Sequence, residues 1–240
     1  MRPGHAIPYK GWHDLFVTIF LGGGGDAAQS EILDRYFAAA LAPGPVVYVP
    51  TALAQSPHFE KAEAWFRATY APFGITDVVV WESLDGKNLG DVSGVAAVYL
   101  GGGDTYYLLS ELRRTGLLAQ VTAAAASGLA VYGGSAGAIV LGADITTGAV
   151  AGDPDLIGVT DHRGADAVHG WSVSCHYDQR HDESLLEWCA TADAKVIALS
   201  EDSGAAASAG QLRSLGTSPV LLFSADGIAR LEPGDDFSLE

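Results

Sequence analysis

The stretch Val131-Tyr132-Gly133-Gly134-Ser135-Ala136-Gly137-Ala138-Ile139-Val140-Leu141 constrains the chain more than any other, because an apolar run breaks at a serine set among small residues and then resumes. The pattern predicts a strand, a sharp turn and a helix. The glycines leave room for a strained backbone and a close strand–helix crossing, which is how a nucleophile elbow lifts a serine hydroxyl above the edge of a sheet. Ser135 is the candidate nucleophile on this reading. Taken alone, the stretch fits a plain glycine-rich βα turn equally well.

The remaining segments place this turn in an α/β chain. Leu15 to Leu21 is an apolar, β-branched run ending at Gly22 to Gly25, and Asp26 is placed to cap a helix over residues 27–41. Strands are predicted at Val46 to Val49, Ile75 to Trp81 and Val95 to Leu100, with a helix from Pro57 to Tyr70 between the first two. Gly101-Gly102-Gly103 leads into a helix that Asp104 or Thr105 can cap, and a second helix spans Leu117 to Ala126. From Asp144 to Gly170 the periodicity lapses, which predicts an irregular segment lining a site. A strand over Trp171 to Cys175, a helix over Asp182 to Ala190 and a strand over Lys195 to Leu199 follow, then short antiparallel strands. The fold class expected is a doubly wound, mostly parallel sheet with a short antiparallel C-terminal extension, built as a single domain with its site at the strands' carboxyl ends.

Charge narrows the function classes. With a net charge of −16 and 13 basic residues, the chain lacks the clustered Lys and Arg that nucleic acid or an anionic membrane requires, so neither is an expected partner. Cys175 and Cys189 are too few for a disulfide framework, which fits a reducing, cytoplasmic setting. Met1 to Trp12 has no apolar leader core, and no apolar run approaches a membrane span, so neither export nor anchoring is expected. Monomer and homodimer both remain open.

A serine hydroxyl needs an imidazole to accept its proton and a third group to orient that imidazole. His5, His13 and His58 read as surface residues, while His162, His169 and His181 lie in polar segments. His176, at a strand end on the elbow's side of the sheet, is the best-placed base. Ala136 supplies one backbone donor for an oxyanion, and the side-chain-free Gly101 to Gly103 loop can supply another. GGGDT matches neither phosphate-loop pattern, and Asp161, His162, His169, His176 and His181 match no metal-ligand spacing, so no cofactor and no metal is expected. Cys175 directly precedes His176 on a predicted strand and is expected to face the other way.

Four motifs in order, YLGGGDTYYLLSELRRTGLL, VYGGSAGAIVLG, SCHYDQR and ALSEDSGAA, resemble the peptidase E (aspartyl dipeptidase) and cyanophycinase family of serine peptidases, within the class I glutamine-amidotransferase-like superfamily. The resemblance covers roughly Val95 to Phe223. It implies a flavodoxin-like fold, Ser135 as nucleophile, His176 as base, Glu201 as its orienting acid with Asp202 and Asp178 as alternatives, and Gly103 and Ala136 as oxyanion donors. The position of Glu201 two residues after the strand Lys195 to Leu199 favours it over the other two acids. It also implies a short peptide as substrate. The family's aspartyl dipeptidases carry an arginine for the substrate's N-terminal aspartate where this chain has Thr146. Thr146, Asp104 and Arg180 are therefore the candidate substrate-binding residues, with Arg163 a further nearby cation. The expected activity is that of a serine exopeptidase without strict preference for N-terminal Asp; cleavage of an aspartyl-arginine polymer, or a binding domain of the same fold, are the alternatives.

Overall fold

The structure is a computed structural model describing residues 18–240. The start of the strand predicted from Leu15, together with His5 and His13, lies outside the described residues. In chain order the elements are β1 (Ile19–Gly22), α1 (Glu31–Ala40), β2 (Val46–Val49), α2 (Ala62–Tyr70), β3 (Val78–Val80), β4 (Ala97–Leu100), α3 (Thr105–Arg114), α4 (Leu117–Ala126), β5 (Ala130–Gly134) and α5 (Ala136–Leu141). There follow β6 (Trp171–Ser174), α6 (Asp182–Ala192), β7 (Lys195–Ala198), β8 (Ser203–Ser208), β9 (Gln211–Gly216), β10 (Val220–Ser224), β11 (Gly227–Leu231) and β12 (Asp236–Ser238).

The main sheet runs β12-β9-β8-β1-β5-β4-β2-β3. Its β1, β5, β4, β2 and β3 are parallel, and β8, β9 and β12 extend it antiparallel beyond β1. Because successive side chains on a strand face opposite ways, each central strand feeds two cores. Ile19, Leu21, Val47, Val49, Val98, Leu100 and Val131 enter an aliphatic core with α3, α4 and α5. Phe20, Tyr48, Tyr99 and Tyr132 enter an aromatic core with Phe37 of α1 and Phe66 of α2. A continuous apolar run therefore reads as a strand buried on both faces.

The C-terminal strands depart from the expected single extension. They divide between two sheets, with β10 and β11 joining β7 and β6 in a second sheet ordered β11-β10-β7-β6. The strand that leads to His176 thus belongs to this second sheet rather than to the sheet carrying the elbow. It packs on α5: a Cβ added to Gly142, at the end of that helix, would lie 2.9 Å from the Val173 nitrogen. Ser203-Gly-Ala-Ala-Ala-Ser forms β8 despite lacking β-branched residues, because it is wholly buried between β1 and β9, where tertiary pairing outweighs a weak strand propensity.

Helix α1 starts four residues later than expected, since Asp26 caps the preceding turn by accepting from the Ala28 and Gln29 amides. The predicted helix from Pro57 is 3₁₀ over Phe59–Lys61 before α2 begins. Both cysteines are buried and free. Among the described residues no helix is long and apolar enough to cross a membrane.

Candidate active site

Strand β5 ends at Gly134, α5 begins at Ala136, and Ser135 between them has φ 49° and ψ −111°. A non-glycine residue holds such a conformation only when its surroundings enforce it. Here the Ser135 N–H donates to the Gly22 carbonyl at 3.0 Å, its own carbonyl accepts from the Ile139 N–H, and every residue of α5 is buried. The helix also crosses β4 so closely that a Cβ on Gly137 would lie 2.2 Å from the Leu100 oxygen.

The candidate base, His176, arrives from the second sheet. His176 lies two residues past the end of β6, also at positive φ (52°), and its N–H donates to the Gly23 carbonyl at 2.9 Å. Its Nε2 lies 2.8 Å from Ser135 Oγ, and its Nδ1 lies 3.3 Å from Glu201 Oε1. Glu201 sits in the turn between β7 and β8. The neighbouring acids are committed elsewhere. Asp202 accepts from the hydroxyls of Ser200, Thr217 and Ser218, with that from Ser218 foremost in holding its carboxyl below the usual range. Asp178 accepts from the Arg180 side chain and backbone N–H, which likewise lowers its carboxyl.

Sequence reasoning missed the part played by Gly22 to Gly25. A Cβ on Gly23 would lie 1.8 Å from the Ser200 oxygen, and one on Gly24 would lie 2.4 Å from the His176 ring. The loop after β1 is the seat on which the ends of β5, β6 and β7 converge. Four consecutive glycines after a strand were the available signal. Also missed was Gln29, whose Nε2 donates to Glu201 Oε2 at 3.2 Å.

Around the serine, the Gly102 backbone runs alongside, a Cβ there falling 3.2 Å from Ser135 Cβ, with Gly103 next at φ 136°. Asp104 caps α3 through the Tyr107 amide. Thr146 Oγ1 donates to Asp144 at 2.6 Å and accepts from Trp188 Nε1 at 2.9 Å. Arg180 pairs with Asp178 and Arg163 with Asp161, and both guanidinium side chains are more than four-fifths exposed. His162 packs edge-on against Tyr106, and His181 forms a capping box with Asp178. Cys175 is buried against the backbone of the elbow, its single thiol proton within reach of the Ser135 carbonyl at 3.4 Å and the Gly22 carbonyl at 3.6 Å. Burial pushes that thiol far up, away from the thiolate a nucleophile needs. Among the described residues no group of three or more His, Cys, Asp or Glu is arranged to hold a metal ion.

The family model for peptidase family S51 matches residues 18–212, a span that holds the elbow, His176 and Glu201. The chain belongs to peptidase family S51. Among solved structures, this S51 chain is similar to a peptidase from an acI-B1 Actinobacterium (TM-score 0.73, 18% identity, covering 92% of this chain and 97% of that one). It is also similar to a candidate peptidase E protein from Listeria monocytogenes EGD-e (TM-score 0.64, 20% identity, covering 84% and 99%). At these identities the likeness concerns the fold. No curated protein matched the sequence.

Proposed function

We propose that this S51 peptidase is a serine exopeptidase of the dipeptidase type, working through Ser135, His176 and Glu201. The observation that carries the reading is the 2.8 Å contact between Ser135 Oγ, raised on a strained elbow, and His176 Nε2. An ionised carboxylate only accepts, so Glu201 keeps the imidazole proton on Nδ1 and leaves Nε2 to accept from the serine hydroxyl. Ser135 Oγ attacks the substrate carbonyl as its proton passes to Nε2, and the Gly103 and Ala136 N–H groups receive the developing oxyanion. Nε2 then gives the proton to the departing amine, leaving an acyl-enzyme. Water, deprotonated by the same nitrogen, attacks the ester to release the acid and restore the serine.

The substrate side supports a loss of strict Asp preference. The Thr146 hydroxyl is already occupied, and the carboxylate it donates to, Asp144, would repel a substrate carboxylate placed there. A buried acid without a cation is costly to bind. The same Asp144 favours a second reading, in which a basic group is accepted beside Thr146, as in an aspartyl-arginine polymer.

A dipeptide library including Asp-Xaa, neutral-Xaa and β-aspartyl-arginine members separates these readings, with Ser135→Ala as control. Neutral N-terminal residues are expected to match or exceed Asp in kcat/KM. A preference of about a hundredfold or more for Asp-Xaa, equivalent to about 3 kcal/mol of transition-state binding, would overturn the specificity reading. Turnover surviving in Ser135→Ala would overturn the mechanism.

A further inference from the structure

We infer that Gln29 is a positioning residue for Glu201, a fourth member of the relay that acts through the acid rather than on substrate. The inference rests on the reading of Ser135, His176 and Glu201 given above. Glu201 is attached to a turn, its side chain is 54% exposed, and only one of its oxygens is engaged by His176. A long side chain so placed has several rotamers to choose from, and most do not address Nδ1. Gln29 takes the second oxygen, Oε2, at 3.2 Å.

Gln29 is itself oriented. Its Oε1 accepts from the Asp26 N–H at 2.9 Å, which a backbone donor can do only to the oxygen of the amide, so the NH₂ group is the one turned to Glu201. Its backbone N–H is held in turn by Asp26 Oδ1. Gly25 lets the two residues approach: a Cβ there would lie 2.2 Å from the Glu201 carbonyl oxygen and 2.7 Å from Gln29 Cβ. The choice of an amide has chemical content. A lysine at this position would pair with Glu201 and draw off the charge that stabilises the imidazolium, whereas a neutral donor fixes the carboxylate and leaves its charge available to His176.

The test compares Gln29→Ala, Gln29→Glu, Glu201→Gln and the Gln29→Ala/Glu201→Gln double variant. Two rates are read in each: kcat and KM on the best dipeptide of the library, and the rate at which a fluorophosphonate probe modifies Ser135. Gln29→Ala is expected to slow both rates about fivefold while KM stays within about twofold. Gln29→Glu keeps the oxygen for the Asp26 N–H but sets a like charge against Glu201, so a larger loss of about twentyfold is expected. The double variant should be no slower than Glu201→Gln, because Gln29 has then lost the group through which it acts. Wild-type rates in Gln29→Ala, a KM effect without a rate effect, or losses that multiply in the double variant would each overturn the inference while leaving the triad intact. Wild-type rates in Glu201→Gln would instead remove Glu201 from the mechanism, and the inference with it.

Discussion

The two halves of the site are built in opposite ways. The elbow is built largely from one stretch of chain: Ser135 stands half-buried between β5 and α5, its N–H held by the Gly22 carbonyl of β1 and its helix packed against β4 of the main sheet. His176 follows the second sheet's β6 and Glu201 lies in the turn from β7 to β8; their side chains are 39% and 54% exposed, and they meet the elbow through the His176–Ser135 contact and the glycine loop after β1. The contrast teaches where each kind of constraint is needed. A strained backbone requires dense packing that over-determines it, whereas an imidazole that gains and loses a proton requires oriented hydrogen bonds and room to accept charge. Damage to the first half is expected to remove chemistry outright, and damage to the second to grade it.

The sharpest attempt to break this contrast is Gly24→Ala, which alters neither half's own residues. The added methyl would lie 2.4 Å from His176 Cε1 and 2.5 Å from Nε2, at a φ of 106° that alanine rarely adopts. A fall in kcat of about a hundredfold or more is expected, with a stability cost of only about 1–3 kcal/mol from the strained backbone, read as a modest drop in Tm. Activity near wild type would mean that the loop does not seat the imidazole.

A smaller effect distinguishes the acids. Glu201→Gln is expected to lower kcat about tenfold or more through loss of imidazole orientation, whereas Asp178→Asn and Asp202→Asn should stay within about threefold at unchanged KM. A loss concentrated in Asp202→Asn would transfer the orienting role to the residue bonded to Ser200, Thr217 and Ser218.

The smallest expected effects concern stability, and they differ in sign between the halves. Beneath the elbow, Asp34 accepts from Tyr70, Tyr132 and Ser30, but burial in the aromatic core dominates and raises its carboxyl above the ordinary range. Its native form therefore binds protons more readily than the unfolded chain, so its contribution is full below the ordinary Asp value of about 3.9 and is lost as pH rises through the native value. Asp202, lowered by its hydroxyl donors, contributes above that ordinary value and loses its contribution as pH falls through the native one. Measured by Tm between about pH 3 and pH 7, Asp34→Asn should improve relative to wild type as pH rises, and Asp202→Asn should worsen. Parallel trends in the two variants would contradict this difference.

What the sequence determined by itself is what local chemistry decides. The strand, small-residue turn and helix around Ser135 are legible in Val131 to Leu141 and form over Ala130 to Leu141, and the alternation of apolar strands with helices from Ile19 to Leu141 required no distant partner to be read. Strand ends were overestimated, as at Ile75 to Trp81, where the strand is Val78–Val80: Ile75 is buried in the core while its N–H bonds to Tyr70 rather than to the ladder, and Trp81 adds a last N–H bond to Tyr48 of β2. What only the tertiary structure decided depends on long-range pairing. An alanine-rich β8 is a strand because β1 and β9 flank it, and β6 and β7 form a separate sheet because β10 pairs with β7. The seat made by Gly22 to Gly25 and the contact of Gln29 with Glu201 join residues distant in the chain, and their meaning resides in atoms that approach only after both sheets have packed. Backbone strain and side-chain hydrogen bonds of that kind have no period in the sequence, since their partners are chosen by the fold rather than by spacing.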